Sequence, residues 1–199
     1  MSALHNISYG VFILSAGKEK PNACVINTLI QLTSSPKQVA ITINKTNHTT
    51  KLIEKFGEFT VSILDNTASF DLIKRFGFQS GSDVDKFESF DNFAIAENGL
   101  PYITKHTNAY ICARVVKSVD VGTHVIFIAE VTAEKVLADT APLTYADYIT
   151  NIKPKTKLKQ GAWVCKVCGF AYMADTLPED YICPICKHPA SDFVWQERD

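Results

Sequence analysis

Apolar and polar positions alternate with a period of two over residues 39–44. Val39, Ile41 and Ile43 alternate with Ala40, Thr42 and Asn44, the pattern of a half-buried strand. Runs rich in Val, Ile, Thr and aromatics predict strands at Ile7–Ser15, Ala23–Leu32, Gln38–Ile43, Glu58–Leu64, Ala109–Val119 and His124–Leu137. Short helices fit Thr49–Phe56 and Thr67–Phe76. The second has Asn66 as its expected N-cap and Gly77 just beyond its end. The strands do not alternate with long helices, which argues against a doubly wound α/β sheet. The expected fold class is mainly β, a closed or nearly closed antiparallel barrel with a few peripheral helices.

The pattern breaks at 151–161. Lys153, Lys155, Lys157 and Lys159 alternate there around Pro154, with Gly161 at the end and no apolar face to bury. This reads as a solvated linker between a large domain, 1–150, and a small one, 162–199. A chain of 199 residues has room for both, at ~150 residues per domain. The charges divide the same way. The large domain has 13 basic and 15 acidic side chains, the linker has four lysines, and the tail has 3 basic and 6 acidic.

Composition narrows the function classes. Hydrophobic residues make up 46% and charged residues 21%, which excludes wholesale disorder. A net charge of −1 gives no global electrostatic case for nucleic acid or an anionic membrane. No apolar run approaches the ~18 residues of a membrane span. The first ten residues carry no Lys or Arg, so no charged targeting region is read there. The expectation is a soluble cytoplasmic protein.

The cysteines carry the strongest chemical signal. Cys165, Cys168, Cys183 and Cys186 form C-x2-C, fourteen intervening residues, then C-x2-C. Each C-x-x-C makes a tight turn whose two thiolates face one point, and two such turns complete a tetrahedron. Gly169 follows the first pair, where positive φ is often needed. Four thiolates suit zinc or iron. The aromatics Trp163, Phe170, Tyr172, Phe193 and Trp195, with the acidic Asp175, Glu179, Asp180 and Asp192, favour iron over a structural zinc ribbon. Residues 163–195 resemble a rubredoxin in the short form found in rubrerythrins. The resemblance rests on CKVCGFAY at 165–172, LPEDYICPIC at 177–186 and DF at 192–193. It implies one iron passing one electron at a time. Lys187 stands where that family usually has Gly, and would adopt φ > 0 at modest cost.

Residues 1–150 contain no G-x-G-x-x-G and no Walker A sequence, so a Rossmann nucleotide domain is not expected. Two polar clusters interrupt the strands instead. One is Asn22-Ala-Cys-Val-Ile-Asn27-Thr28. The other is Asn44-Lys-Thr-Asn-His-Thr-Thr50, entering a helix near Thr49, where hydroxyls, amides, a lysine and helix N–H groups suit a phosphate. Asn/Thr-rich turns are also common simply as turns.

The domain resembles the flavin-reductase-like FMN-binding split barrel. The resemblance rests on YGVFILS at 9–15, NACVINT at 22–28, AITINKTNHT at 40–49, FTVSIL at 59–64, FGFQSGSDVDKF at 76–87 and GTHVIFIAEV at 122–131. It implies that Asn22, Ala23, Cys24, Val25, Asn27 and Thr28 line the flavin ring, largely through backbone groups. Asn44, Lys45, Asn47, His48 and Thr49 would hold the ribityl chain and phosphate. His124 is the weak catalytic candidate, facing the cleft, and reads equally well as a hydrogen-bonded strand histidine. Cys24 and Cys112 read as packed side chains. Asp83, Asp85 and Lys86 read as a charged turn, in a loop that overhangs the substrate side in the family. Such barrels are usually homodimers.

The two modules explain one another. NAD(P)H gives two electrons as hydride, a four-thiolate iron takes one, and FMN converts between them. Ten flexible linker residues span roughly 15–20 Å r.m.s., enough for the small domain to shuttle. The whole chain is similar to the high-molecular-weight rubredoxins of anaerobes, which implies a flavodiiron NO or O2 reductase as acceptor. The alternative is an NAD(P)H:flavin oxidoreductase with a structural zinc ribbon, and a third reading is a non-catalytic FMN- or haem-binding regulator.

Overall fold

The computed structural model describes residues 3–154 and 161–197. The chain divides into two compact units, one ending at Ile152 and the other beginning at Lys153. Most of the expected linker, residues 155–160, lies outside the described residues.

A 3-10 turn, Ala3–Asn6, opens the first unit. There follow β1 (Phe12–Ala16), β2 (Asn22–Ile26), β3 (Leu29–Ser34), β4 (Lys37–Asn44), α1 (His48–Phe56), β5 (Glu58–Leu64) and α2 (Phe70–Gly77). Then come β6 (Phe93–Ile95), β7 (Pro101–Ile103), β8 (Thr107–Asp120), β9 (His124–Val136) and α3 (Tyr145–Asp147), which continues as a π turn, Tyr148–Ile152.

Seven strands form one sheet in the order β2-β1-β5-β8-β9-β4-β3. Every neighbouring pair is antiparallel. The two edge strands, β2 and β3, are consecutive in the chain and joined only by Asn27 and Thr28. A sheet whose edges are tied by two residues must curl until they meet, which makes the barrel. The sequence predicts one strand over Ala23–Leu32. The structure bends it at Asn27–Thr28, where the Thr28 hydroxyl reaches the Asn27 side chain and the Thr42 carbonyl.

Strand alternation sorts the core into two layers. Phe12, Leu14 and Ala16 of β1 point into the barrel with Ile41, Phe59, Val61 and Phe127, plugged by Ile53 of α1. Val11 and Ile13 point the other way, onto Leu72, Ile73 and Phe76 of α2. β1 is therefore buried on both faces. Burying each such side chain contributes about 1.5–3 kcal/mol.

The helices begin and end for local reasons. Gly57, at φ 70°, closes α1 by donating its N–H to the Ile53 carbonyl. α2 begins later than the sequence predicts, because Asp65 accepts from the backbone and hydroxyl of Thr67 and holds that segment in a turn. Its N-cap is Ser69, whose hydroxyl accepts from the Leu72 N–H, rather than Asn66.

The second unit is a three-stranded sheet, order β11-β10-β12, of β10 (Ala162–Cys165), β11 (Ala171–Tyr172) and β12 (Phe193–Gln196). Buried Phe193 packs with Trp163, Tyr172 and Tyr181 around the cysteines.

Candidate functional site

The two polar clusters of the barrel domain converge. Buried Asn22, at the start of β2, accepts a 3.0 Å hydrogen bond from the hydroxyl of Thr49 in the first turn of α1. The Cys24 thiol, two residues along β2, lies in hydrogen-bond contact with Thr49 and Asn47. Burial pushes that thiol up against the opposing pull of Thr49, Lys86 and Asn47, which disfavours the thiolate. Asn47 is the N-cap of α1, and its amide makes no capping bond. The helix N-terminus thus presents donors beside β2.

The flanking residues lie close by. Asn44 ends β4, and its side chain accepts from the backbone and hydroxyl of Thr46. Its carbonyl accepts from the Thr50 hydroxyl. His124 stands directly across from Asn44 in the sheet, with its Nδ1 2.8 Å from the Thr123 hydroxyl. Lys45 is turned toward Asp120, with which it forms an exposed ion pair. Such exposed pairs contribute little to stability. Asn27 and Thr28 form the corner where the barrel's edges meet. Asn22, Cys24, Asn47 and Thr49 are therefore joined by direct contacts. Thr28 meets the Asn44 strand through Thr42.

The loop after α2 is a charged turn at Asp83 and Asp85, which are exposed, but not at Lys86. Gly81 packs so closely on Asn22 that an added Cβ would lie 1.8 Å from its amide nitrogen. Lys86 is buried at 3% exposure, and its Nζ donates to the carbonyls of Ala23 and Phe76, each at 2.8 Å. Composition gives no sign of this, because a Lys beside Asp83 and Asp85 in a D-x-D-K run reads as surface. The donor set here (hydroxyls, amides, helix N–H groups and backbone groups along a sheet edge) fits a flavin nucleotide.

The second unit gathers the four cysteines. Their sulfurs all lie within 4.8 Å of one another, and the pairs Cys165–Cys186 and Cys168–Cys183 are 3.5 Å apart. A tetrahedral metal with ~2.3 Å bonds to sulfur needs sulfur separations of about 3.8 Å. The arrangement fits. Hydrogen bonding from Cys186, joined by the Phe170 backbone and by Cys183 and Cys165, outweighs burial and holds the Cys168 thiol well below its usual value. The same bond to Cys168 pushes Cys186 up, and burial pushes Cys183 up. One thiolate is thus stabilised at its neighbours' expense, and a bound cation is what would make all four thiolates at once. Lys153, expected in the solvated linker, donates from Nζ to the Val167 carbonyl at 3.0 Å.

Comparison with known proteins gives the class. The Flavin reductase like domain matches residues 4–150, and the Rubrerythrin, rubredoxin-like domain matches 163–194. The chain belongs to the flavin reductase-like family, with a rubredoxin-like domain at its C-terminal end. It is an oxidoreductase of that type. It is 37% identical to the high molecular weight rubredoxin of Moorella thermoacetica, across 92% of this chain and 94% of that one. It is 39% identical to the ferric-chelate reductase (NAD(P)H) of Archaeoglobus fulgidus, across 78% of this chain and 92% of the relative. In fold it matches the NADH:FAD oxidoreductase of Streptomyces globisporus, with a TM-score of 0.65 at 21% identity, covering 71% and 83% of the two chains. The expected mainly β barrel with a four-cysteine tail is the observed architecture. Among the described residues, no helix is long and apolar enough to cross a membrane.

Proposed function

We propose that the chain carries electrons from NAD(P)H through FMN to one iron, and on to an acceptor protein, a flavodiiron NO or O2 reductase. The observation that carries this reading is the pairing, in one chain, of a flavin reductase-like barrel with four cysteine sulfurs within 4.8 Å of one another. A bound flavin supplies the exchange between hydride and single electrons. The names of the Archaeoglobus and Streptomyces proteins, both pyridine-nucleotide oxidoreductases, support NAD(P)H as donor. The acceptor rests on the resemblance to high-molecular-weight rubredoxins.

Each group has its part. Cys165, Cys168, Cys183 and Cys186 hold the iron. Asn44, Lys45, Asn47, His48 and Thr49 bind the phosphate and ribityl chain, with the N-terminus of α1 opposing the phosphate charge. Asn22, Ala23, Cys24, Val25, Asn27 and Thr28 line the ring, with the buried Asn22–Thr49 bond fixing β2 against α1. His124, across from Asn44, faces the cleft. The barrel pairs as a homodimer. A cytoplasmic setting keeps the four thiols reduced and open to metal.

The visible spectrum, recorded as isolated and after anaerobic NADH with iron and zinc assayed on the same sample, tests the reading. Flavin bands overlaid with iron–thiolate bands, both bleaching on NADH, are expected. Flavin bands with stoichiometric zinc would leave a flavin reductase carrying a structural ribbon.

A further inference from the structure

Lys86 is held from both ends. Its carbonyl accepts from the Arg75 Nε at 2.8 Å. Its ammonium donates to Ala23 on β2 and to Phe76 in the last turn of α2. A helix C-terminus carries partial negative charge, so a cation is at home there. Burying an ammonium is still costly unless it is paired. Among the described residues no carboxylate forms a salt bridge with it. Burial pushes the ammonium down and the neighbouring Cys24 thiol up, while the two carbonyl acceptors, one at a helix C-terminus, favour the charged lysine. Hydrogen-bonded to the Ala23 carbonyl, the ammonium sets its charge against the backbone of β2.

We propose that Lys86 is a positioning residue of the flavin site, locking the Ala23 carbonyl against the end of α2 and biasing the site toward reduced, anionic flavin. This rests on the reading that Asn22–Thr28 line the ring. Lys86 acts through β2, and the argument requires no contact between its ammonium and the flavin. The charge lowers the free energy of the more negative flavin form relative to the oxidised one.

Flavin-free protein is titrated with oxidised FMN, and with dithionite-reduced FMN under anaerobic conditions, for wild type, Lys86→Gln, Lys86→Met and Lys86→Arg. Melting of each flavin-free protein is recorded alongside. Lys86→Gln keeps an amide donor without the charge. It should lose at least tenfold more affinity for reduced than for oxidised FMN, a fall of about 30 mV in two-electron midpoint potential. Lys86→Met should show the same excess loss, and Lys86→Arg should keep the wild-type ratio. Equal losses for both flavin forms in the Gln variant would overturn the proposal. So would an excess loss in Met alone, because the hydrogen bonds and not the charge would then be the cause. A wild-type protein that binds neither form of FMN would instead refute the flavin reading on which the proposal stands.

Discussion

Gly169 and Lys187 occupy matching places in the two cysteine turns. Each follows the second cysteine of its pair, with φ of 79° and 61°, and each donates its N–H to the carbonyl of the first cysteine at 2.8 and 2.9 Å. The turns are thus built alike, although one position is free of side-chain strain and the other is not. A β-carbon in this left-handed region costs roughly 1–2 kcal/mol, which glycine avoids at some cost in chain entropy. Lys187→Gly should therefore stabilise the metal-loaded tail by up to about 1 kcal/mol. Gly169→Ala should destabilise it by about the same or more. Urea unfolding followed by loss of the thiolate–metal absorption measures both.

The four sulfurs also separate the two halves of the proposed relay. Cys183→Ser should abolish electron delivery to a protein acceptor while leaving NADH-driven flavin reduction nearly intact. Stopped-flow flavin bleaching and acceptor reduction are compared on one sample, with circular dichroism confirming the fold. Equal loss of flavin reduction would reverse the proposed order of electron flow.

Asn22 and Thr49 join β2 to α1 through one buried hydrogen bond. Thr49→Val keeps the shape and leaves the Asn22 oxygen unpaired, at a cost of about 1–3 kcal/mol. Gly81→Ala forces a β-carbon against the same amide. Both variants should weaken FMN binding by tenfold or more, read by quenching of flavin fluorescence. Unchanged affinity in both would remove β2 from the flavin site.

Sequence and structure agree where a rule is local. The C-x2-C spacing alone places the four sulfurs together, alternation locates β4, and enrichment in Val, Ile, Thr and aromatics locates β5, β8 and β9, nearly to the residue. The bend at Asn27–Thr28 does not follow from the sequence, because a polar pair flanked on both sides by strand formers also fits one continuous strand, and only closure of the sheet reveals that its halves belong to opposite edges. Lys86 was missed for a related reason. Its burial depends on Ala23 and Phe76, which lie 63 and 10 residues away. Asn66 looked like a cap because Asn caps well. Asp65 binds Thr67 first and moves the helix start to Ser69.

Asp65 also makes stability depend on pH. Burial works to raise its carboxyl, but hydrogen bonds from Thr67 and Thr140, with the nearby His106, outweigh this and hold it below the usual value. A depressed carboxyl stabilises the fold above its unfolded pKa of about 3.9, and that contribution is lost as pH falls through the folded value. Asp65→Asn should flatten the acid limb of the stability curve and lower stability at pH 7. Urea midpoints across pH 3–7 measure this, and an acid limb as steep as wild type would assign it to other carboxylates.

The two-residue corner between β2 and β3 has one more consequence. An open sheet of seven strands presents two ribbons of unpaired backbone, each a template for a passing strand from another molecule. Here chain connectivity folds both ribbons toward one place. This covalent stitch protects the two borders unequally: β2 is buried, whereas β3 runs away from the corner with Ile30 and Leu32 open to solvent, so a foreign strand has one border to find and not two.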